Sequence, residues 1–501
     1  MAAEVVTVTR DCKERRRRPL ATAFPDLLPV VNTSFSMGRC KQPSSVFQGL
    51  LKSVILVPGR DATVHACPPE VDIDQEYNNI IRTFPGRSSL TPFYTTPVVC
   101  EWTDVGNIAF DVYARKLKVC VNGVWREVKI SPDKRMLDYL LPHQLLDTGQ
   151  GVLDIEVFDI PGEGKFAAFA SAGLQTSVQD RSNIYQWVGS KLTLYQTLPT
   201  QSAQAWEFFS IRNQFFLAVA NYGIHPSILS NSTIFKWNKV RKKFHKYQDI
   251  VTFTARDVEA FEIDGDHYLA IANHAEGDNN QIDSIVYKWS SKERLFLEHQ
   301  RLLTIGAYDW TYFTVDGYHF LAVANAFSGL TTLVFSVVYF WQNSSWIQYQ
   351  TLETNGATDW EHFVINNDHY LVVANAFNYG SQNYQEVDSY KTNSTLYKLD
   401  RSKRVFTRYQ SFSTNSAVDW EYFNIGDNHY LIVSNAQNGG TGDSLLTVLY
   451  RWQGLDKFVP IHYLHTLPNT DFEVIKDGPD IYLIYANAKN ANSEVLRVKF
   501  L

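Results

Sequence analysis

Asp359-Trp360-Glu361-His362-Phe363-Val364-Ile365, answered a few residues later by Tyr370-Leu371-Val372-Val373-Ala374-Asn375, is the phrase on which the fold turns. It recurs as Trp206-Glu207-Phe208-Phe209 with Phe216 to Asn221, and as Asp257-Val258-Glu259 with Tyr268 to Asn273. It recurs again as Asp309-Trp310 with Phe320 to Asn325, and as Asp419-Trp420-Glu421 with Tyr430 to Asn435. Looser copies open the series at Asp154-Ile155-Glu156 and close it at Asp471-Phe472-Glu473. The positions equivalent to Trp360 are 155, 206, 258, 310, 360, 420 and 472, at intervals of 51, 52, 52, 50, 60 and 52. The long interval carries an insertion around Tyr379 to Thr392. Each copy continues with a third short aromatic run (Ile234-Phe235-Lys236-Trp237) and a fourth (Phe244-His245-Lys246-Tyr247-Gln248). Short β-branched and aromatic runs bounded by Gly, Asn and Asp are strand and turn signals. Four strands per unit at a period near 50 predict an all-β fold, a seven-bladed β-propeller of four-stranded blades over 150–501.

The seventh copy runs out after one further strand, Glu494 to Phe500. A ring completed there needs a strand from upstream, because closure removes free sheet edges. Trp125-Arg126-Glu127-Val128-Lys129-Ile130 is the expected donor.

Composition agrees with a globular chain. Of 501 residues, 45% are hydrophobic and 14% aromatic, and 46 basic against 52 acidic residues give a net charge of −6. That balance argues against a nucleic-acid binder, and no 18-residue apolar run argues for a membrane-spanning helix. The first 20 residues lack the apolar core of a signal peptide and carry Arg15 to Arg18, which reads as a solvated segment rather than a targeting or anion-binding patch. The five cysteines, Cys12, Cys40, Cys67, Cys100 and Cys120, have no zinc-site spacing, and their odd number leaves one thiol unpaired or paired outside the chain.

The repeated first strand places Asp at 154, 257, 309, 359, 419 and 471 and Glu at 156, 207, 259, 361, 421 and 473. Acids two apart share a strand face. They serve blade-to-blade hydrogen bonding, the commoner role for a residue repeated with the fold. A structural Ca²⁺ in a central channel is the second reading, with Asp309, Asp359 and Asp419 as the candidate ligands. A carboxylate pair for glycoside hydrolysis is the third; near-symmetric acids supply no pair with contrasting pKa values. By the same logic Trp206, Trp310, Trp360 and Trp420, with Glu207, Glu259, Glu361 and Glu421, read as structural repeat residues, and the tryptophans as inter-blade core rather than sugar platforms. His267, His319, His369 and His429 also read as structural. The acidic loop His274 to Asp283 reads as a solvated turn, lacking EF-hand spacing. Sequons at Asn32, Asn231, Asn343 and Asn393 are no more than chance supplies; the last three are the glycosylation candidates, and Asn231 and Asn393 are expected just ahead of a third strand. There is no nucleophile elbow, P-loop, HExxH or dinucleotide fingerprint, so no catalytic residue is named and no cofactor is expected beyond the channel cation.

The Asp-Trp-Glu-x-Phe phrase with its Leu-Ala-Val-Ala-Asn answer resembles the epilepsy-associated repeat (EAR) of the EAR/EPTP family. No leucine-rich repeats precede it. Instead Phe47 to Pro68 resembles the tail of a thrombospondin-type laminin G domain, and Phe110 to Trp125 the linker that follows one. The resemblance divides the chain into an atypical N-terminus (1–35), a laminin G remnant (36–68), a linker holding the closing strand (69–149) and seven EAR repeats (150–501). A laminin G sandwich takes about 200 residues, and a remnant this short cannot bury its own core. A truncated or misassigned start, with the first 35 residues foreign, is therefore expected. The resemblance also leaves Cys100 and Cys120 as a disulfide closing a loop of about 20 residues, worth about 3 kcal/mol in the chain-entropy picture. It implies a non-enzymatic secreted or cell-surface scaffold, sited at stereocilia, that meets extracellular proteins through its propeller loops. The implied roles are in hearing, tooth and hair-follicle development and Notch signalling. A matrix lectin or glycoside hydrolase is the alternative.

Overall fold

The computed structural model describes residues 5–10, 13–19, 108–111, 116–121, 124–127, 135–149, 151–173, 180–223, 229–378, 390–437, 445–466, 469–488 and 492–501. The chain divides into two units, 1–132 and 133–501. In the first, Val5–Arg10 pairs with Lys13–Pro19, the strand that contains Arg15 to Arg18. Ile108–Asp111, Lys116–Val121 and Val124–Glu127 form a three-stranded sheet. Cys120 is buried in that sheet and disulfide-bonded, to a residue outside the described ones. Cys100 and the laminin G remnant also lie outside the described residues.

The second unit is seven four-stranded antiparallel sheets, the first six wound outward in chain order from an innermost first strand. First strands of successive blades contact one another all the way round, the seventh meeting the first, so the ring is closed. The core lies between blades. Seven apolar clusters each draw on two neighbours, as Phe363, Tyr370 and Phe412 of blade 5 meet Trp420, Leu431 and Tyr450 of blade 6. Second strands such as Tyr318–Asn325 are buried on both faces, which explains their unbroken apolar run.

Blade 7 is completed from upstream, but by Leu137–Asp147 rather than Trp125–Ile130. Val124–Glu127 pairs instead with Lys116–Val121. The described donor carries the pattern of every other fourth strand. Thr148, one residue past its end, meets Ser493 with hydroxyl oxygens 2.9 Å apart, as Ser232 meets Thr252 and Ser284 meets Thr304 at the same spacing. Leu137 and Leu146 sink into the clusters on either side.

Because strands alternate in direction, each blade's first–second and third–fourth turns emerge at one end of the ring. The second–third connections and the crossings between blades emerge at the other.

Candidate functional site

Every first strand carries a register shift just ahead of its acid position, from Val152/Asp154 in blade 1 to Asn469/Asp471 in blade 7. A β-bulge twists a strand and re-aims the next side chains. Here it turns each Asp toward the following blade. Asp154, Asp257, Asp309, Asp359, Asp419 and Asp471 accept the backbone N–H of Trp206, Trp310, Trp360, Trp420, Phe472 and Ile155, at 2.7–3.2 Å. The last of these seals the ring between blades 7 and 1. Blade 2 has Ala205 in place of the Asp, so its joint to blade 3 lacks this bond.

The glutamates add a second rung. Glu156, Glu207 and Glu259 accept from the N–H of Phe208, Ala260 and Tyr312 in the next blade, at 3.1, 3.1 and 2.7 Å. Glu361 accepts from Tyr422 N–H in the same way. Blade 4 carries Thr311, whose hydroxyl sits 2.6 Å from Trp360 O. Glu473 turns to its own strand, at Val474 N–H, while Glu421 lies within the electrostatic reach of Glu361 and Asp471.

These carboxyls are half-buried, Asp471 buried, and desolvation dominates their protonation. Burial pushes Asp154, Asp309 and Asp419 up to about 7 and Glu259 to about 8, against the lowering effect of the hydrogen bonds they accept. Asp257, Asp359, Asp471, Glu156, Glu207, Glu361, Glu421 and Glu473 are raised well above the ordinary carboxylate range, by burial first and by their acidic neighbours second. A ring so crowded cannot ionise fully; at neutral pH it shares protons. Among the described residues no three His, Cys, Asp or Glu side chains converge closely enough to hold one metal ion. Asp309, Asp359 and Asp419 each commit an oxygen to a neighbour's backbone.

The tryptophans are buried between blades. Trp360 and Trp420 donate their indole N–H to Val323 O and Val373 O of the preceding blade, both at 3.2 Å, and Trp206 and Trp310 fill the same place without that bond. His319 and His429 meet Tyr312 and Tyr422 of their own blades at 2.5 and 2.6 Å, His369 meets His362 at 3.1 Å, and His267 lies 3.5 Å from Glu262. The His274 loop closes on itself through paired Glu276 and Asn279 backbone bonds. Asn231 and Asn393 are exposed within third strands rather than ahead of them, at equivalent positions of blades 2 and 5, and Asn343 sits in an exposed turn.

A second set of joints was not singled out in the sequence. On the fourth strands, Gln144, Gln196, Gln248, Gln300, Gln350 and Gln410 each bond both ways with the backbone of the next blade. Their partners are Leu192, Phe244, Phe296, Trp346, Phe406 and Phe458, with the amide nitrogens 2.7–2.9 Å from the carbonyl oxygens. Blade 6 has His462 at that position, and its joint to blade 7 uses other bonds, among them the inner Asp419 bond and Leu137 N–H on the Tyr430 hydroxyl at 3.0 Å. The signal was available: each Gln follows a Tyr or His at the repeat period.

This closed propeller, knit from one repeated strand quartet with acids inside and amides outside as joints, belongs to the EAR/EPTP class of repeat protein. Five stretches, 191–238, 243–290, 295–342, 347–400 and 405–453, match the EPTP domain. Each match begins on a fourth strand and ends on the next blade's third. More narrowly, the chain belongs to the family of the thrombospondin-type laminin G domain and EAR repeat-containing protein. It is 40% identical to the mouse protein over 507 residues (98% of this chain, 74% of that one), and 40% identical to the human protein over 513 residues. It is also similar to human leucine-rich repeat LGI family member 2, 30% identical over 193 residues, or 38% of this chain and 30% of that protein.

Proposed function

We propose that this protein is a non-enzymatic extracellular interaction scaffold whose ring is a rigid frame and whose end-face loops meet protein partners. One observation carries the reading: the repeated acids, the residues best suited to chemistry, are engaged as blade-to-blade joints. Hydrolysis of a glycan needs one carboxyl kept as acid and one as base in contrasting surroundings, and these sit in near-equivalent ones. The end faces are different in kind. The second–third connections vary in length and sequence from blade to blade, as binding loops on a fixed frame do. A face of this sort suits an interface of about 800 Å² per partner. The disulfide at Cys120 fits an oxidising, extracellular setting. In such a setting the finer roles implied by the resemblance, at sensory hair cells, in tooth and hair follicle and in Notch signalling, would each use this frame to hold a surface protein.

The test is capture of extracellular ectodomains by the full chain, alongside glycan hydrolysis by the full chain and by its Glu361→Gln, Glu421→Gln double variant. The reading predicts ectodomain binding unchanged by the double substitution, and no turnover. Turnover by the parent, lost in a folded double variant, would overturn it.

A further inference from the structure

Blade 2 departs from blades 3, 5 and 7 in charge. In blades 3, 5 and 7 a third-strand cation is neutralised by the acid that opens the second strand: Lys288 by Asp266 at 2.7 Å, Lys398 by Asp368 at 2.8 Å and Arg497 by Asp480 at 2.8 Å. In blade 2 the cation is Lys236, and the acid's place is taken by Gln214. The first–second turn, which holds Asp264 in blade 3 and Asp316 in blade 4, holds Arg212. The third–fourth turn, neutral in blade 4 at Asn343-Ser344, reads Lys239-Val240-Arg241-Lys242-Lys243, continuing through His245 to Lys246. Two separate turns at the same end of one blade thus carry bases, one where blades 3 and 4 carry Asp and one where blade 4 is neutral, in a chain whose net charge is −6.

The bases are displayed on a fixed scaffold. Asn238 Oδ1 accepts from Val240 N and Arg241 N at 3.0 and 2.9 Å, closing the turn. Tyr195 of blade 1 donates its hydroxyl to Lys242 O, and Lys243 lies over the Tyr195 ring, 3.6 Å from its centre. Lys239, Arg241, Lys242 and Arg212 remain exposed. Carboxylates offset two of the cations: Glu163 lies 3.0 Å from Lys242 and Asp249 2.6 Å from Lys246. Burial and the nearby Arg294 guanidinium push the Lys236 ammonium down. A groove of about 280 Å³ runs beside the patch between blades 1 and 2, lined by Pro161, Glu163, Asn213, Phe215, Trp237 and Lys239.

We infer that this edge of blade 2 is a binding site for a sulfated polysaccharide chain, its anionic groups met by Lys239, Arg241, Lys242 and Arg212. A strip of preorganised cations suits a linear polyanion. The aromatic rings at the patch, Tyr195 and Phe215, are half-buried and each already carries a lysine over its face, and Val240 is an isolated exposed apolar tip; both features favour a sugar chain over single-stranded nucleic acid or a membrane. The choice of a sulfated glycan also rests on the extracellular reading above, sulfated glycans being the polyanion of that space. The sequon Asn231 sits at the other end of the same blade, so a glycan there would leave this edge clear.

The experiment measures binding of the full chain to immobilised heparan sulfate, to poly-uridylate RNA and to phosphatidylserine vesicles, across a salt series. The Lys239→Gln, Arg241→Gln, Lys242→Gln variant is compared with a blade 5 control, Arg401→Gln, Lys403→Gln, Arg404→Gln. The inference expects heparan sulfate binding at 150 mM NaCl, weakened at least tenfold by the blade 2 substitutions and less than twofold by the control. The slope of log affinity against log salt should fall by about two to three, by analogy with phosphate neutralisation. Should the triple variant fail to fold, Lys239→Gln alone, at an exposed turn, is expected to give a two- to fourfold loss. Absence of heparan sulfate binding, equal loss in both variants, or tighter binding to RNA or vesicles overturns the inference. Failure here with ectodomain capture intact leaves the scaffold reading standing.

Discussion

At Asp359 the whole logic of the ring can be tested with two substitutions. Its Oδ2 accepts Trp420 N–H at 2.9 Å, and burial raises its pKa well above the usual range. Asn keeps an acceptor and removes the charge problem, whereas Ala leaves a buried N–H unsatisfied, at a cost of about 1–3 kcal/mol. Thermal unfolding of Asp359→Asn should match the parent near pH 5 and exceed it at pH 8.5. Asp359→Ala should fall below the parent at both. On the outer strands, Gln300 bonds to Trp346 O at 2.9 Å and Trp346 N at 2.8 Å. Gln300→Ala should cost about 1–3 kcal/mol, read as a lower denaturant midpoint with unchanged slope. The two joints were not equally legible. Trp360 and its flanking acids stand out because an indole beside two carboxyls is rare in a strand. Gln300 hides among the polar residues expected on any exposed fourth strand, and only the structure shows its amide turned sideways into the next blade.

Leu137–Asp147 is the element on which closure depends, and the one that the sequence concealed. A proline inside a run argues against a strand, and Pro142 interrupts this one. The structure places Pro142 opposite Leu496, at a register shift between Val495 and Leu496, and on an outermost strand, where a missing N–H costs nothing. Pro460 occupies the equivalent bulge in blade 6, opposite Tyr450. Trp125–Ile130 also lies upstream of the first blade but holds no Gln, whereas Leu137–Asp147 supplies Gln144 for the joint. The first strands, by contrast, are readable because their apolar face repeats in register seven times and each of their two acids six times. Removing Leu137–Asp147 bares the outer edge of Asn492–Phe500, a template for pairing with other chains. Size-exclusion chromatography of that deletion should show association that the parent lacks, reversed by adding a peptide of residues 135–149.

For the whole molecule the carboxyl ring sets how stability responds to pH. Acids whose folded pKa is raised hold protons that the unfolded chain releases. Their contribution is complete below about pH 4 and is lost as pH rises through about 7 to 8. His274 and His362, held neutral by burial down to about 3, act in the opposite sense, losing stability as pH falls below 6.5. Above pH 6.5 the opposing effect of the histidines fades and the carboxyls dominate, so the unfolding temperature should fall by about 2–5 °C between pH 6.5 and 8.5. A resident Ca²⁺ would act differently: millimolar Ca²⁺ would flatten the fall, and a chelator would restore it. The seven-fold period made the ring legible as a class of fold. The pKa landscape was not legible, because it depends on how tightly twelve separated acids are drawn together by closure.

Amide hydrogen exchange on the full chain tests closure most directly. Backbone amides of Leu137–Asp147 and Asn492–Phe500, together with Ile155 N–H on its Asp471 acceptor, should be protected to the same degree as their counterparts in blades 3 to 5. Rapid exchange at those three places, beside slow exchange elsewhere, would mean an open array of blades and would contradict a ring whose acids are its joints.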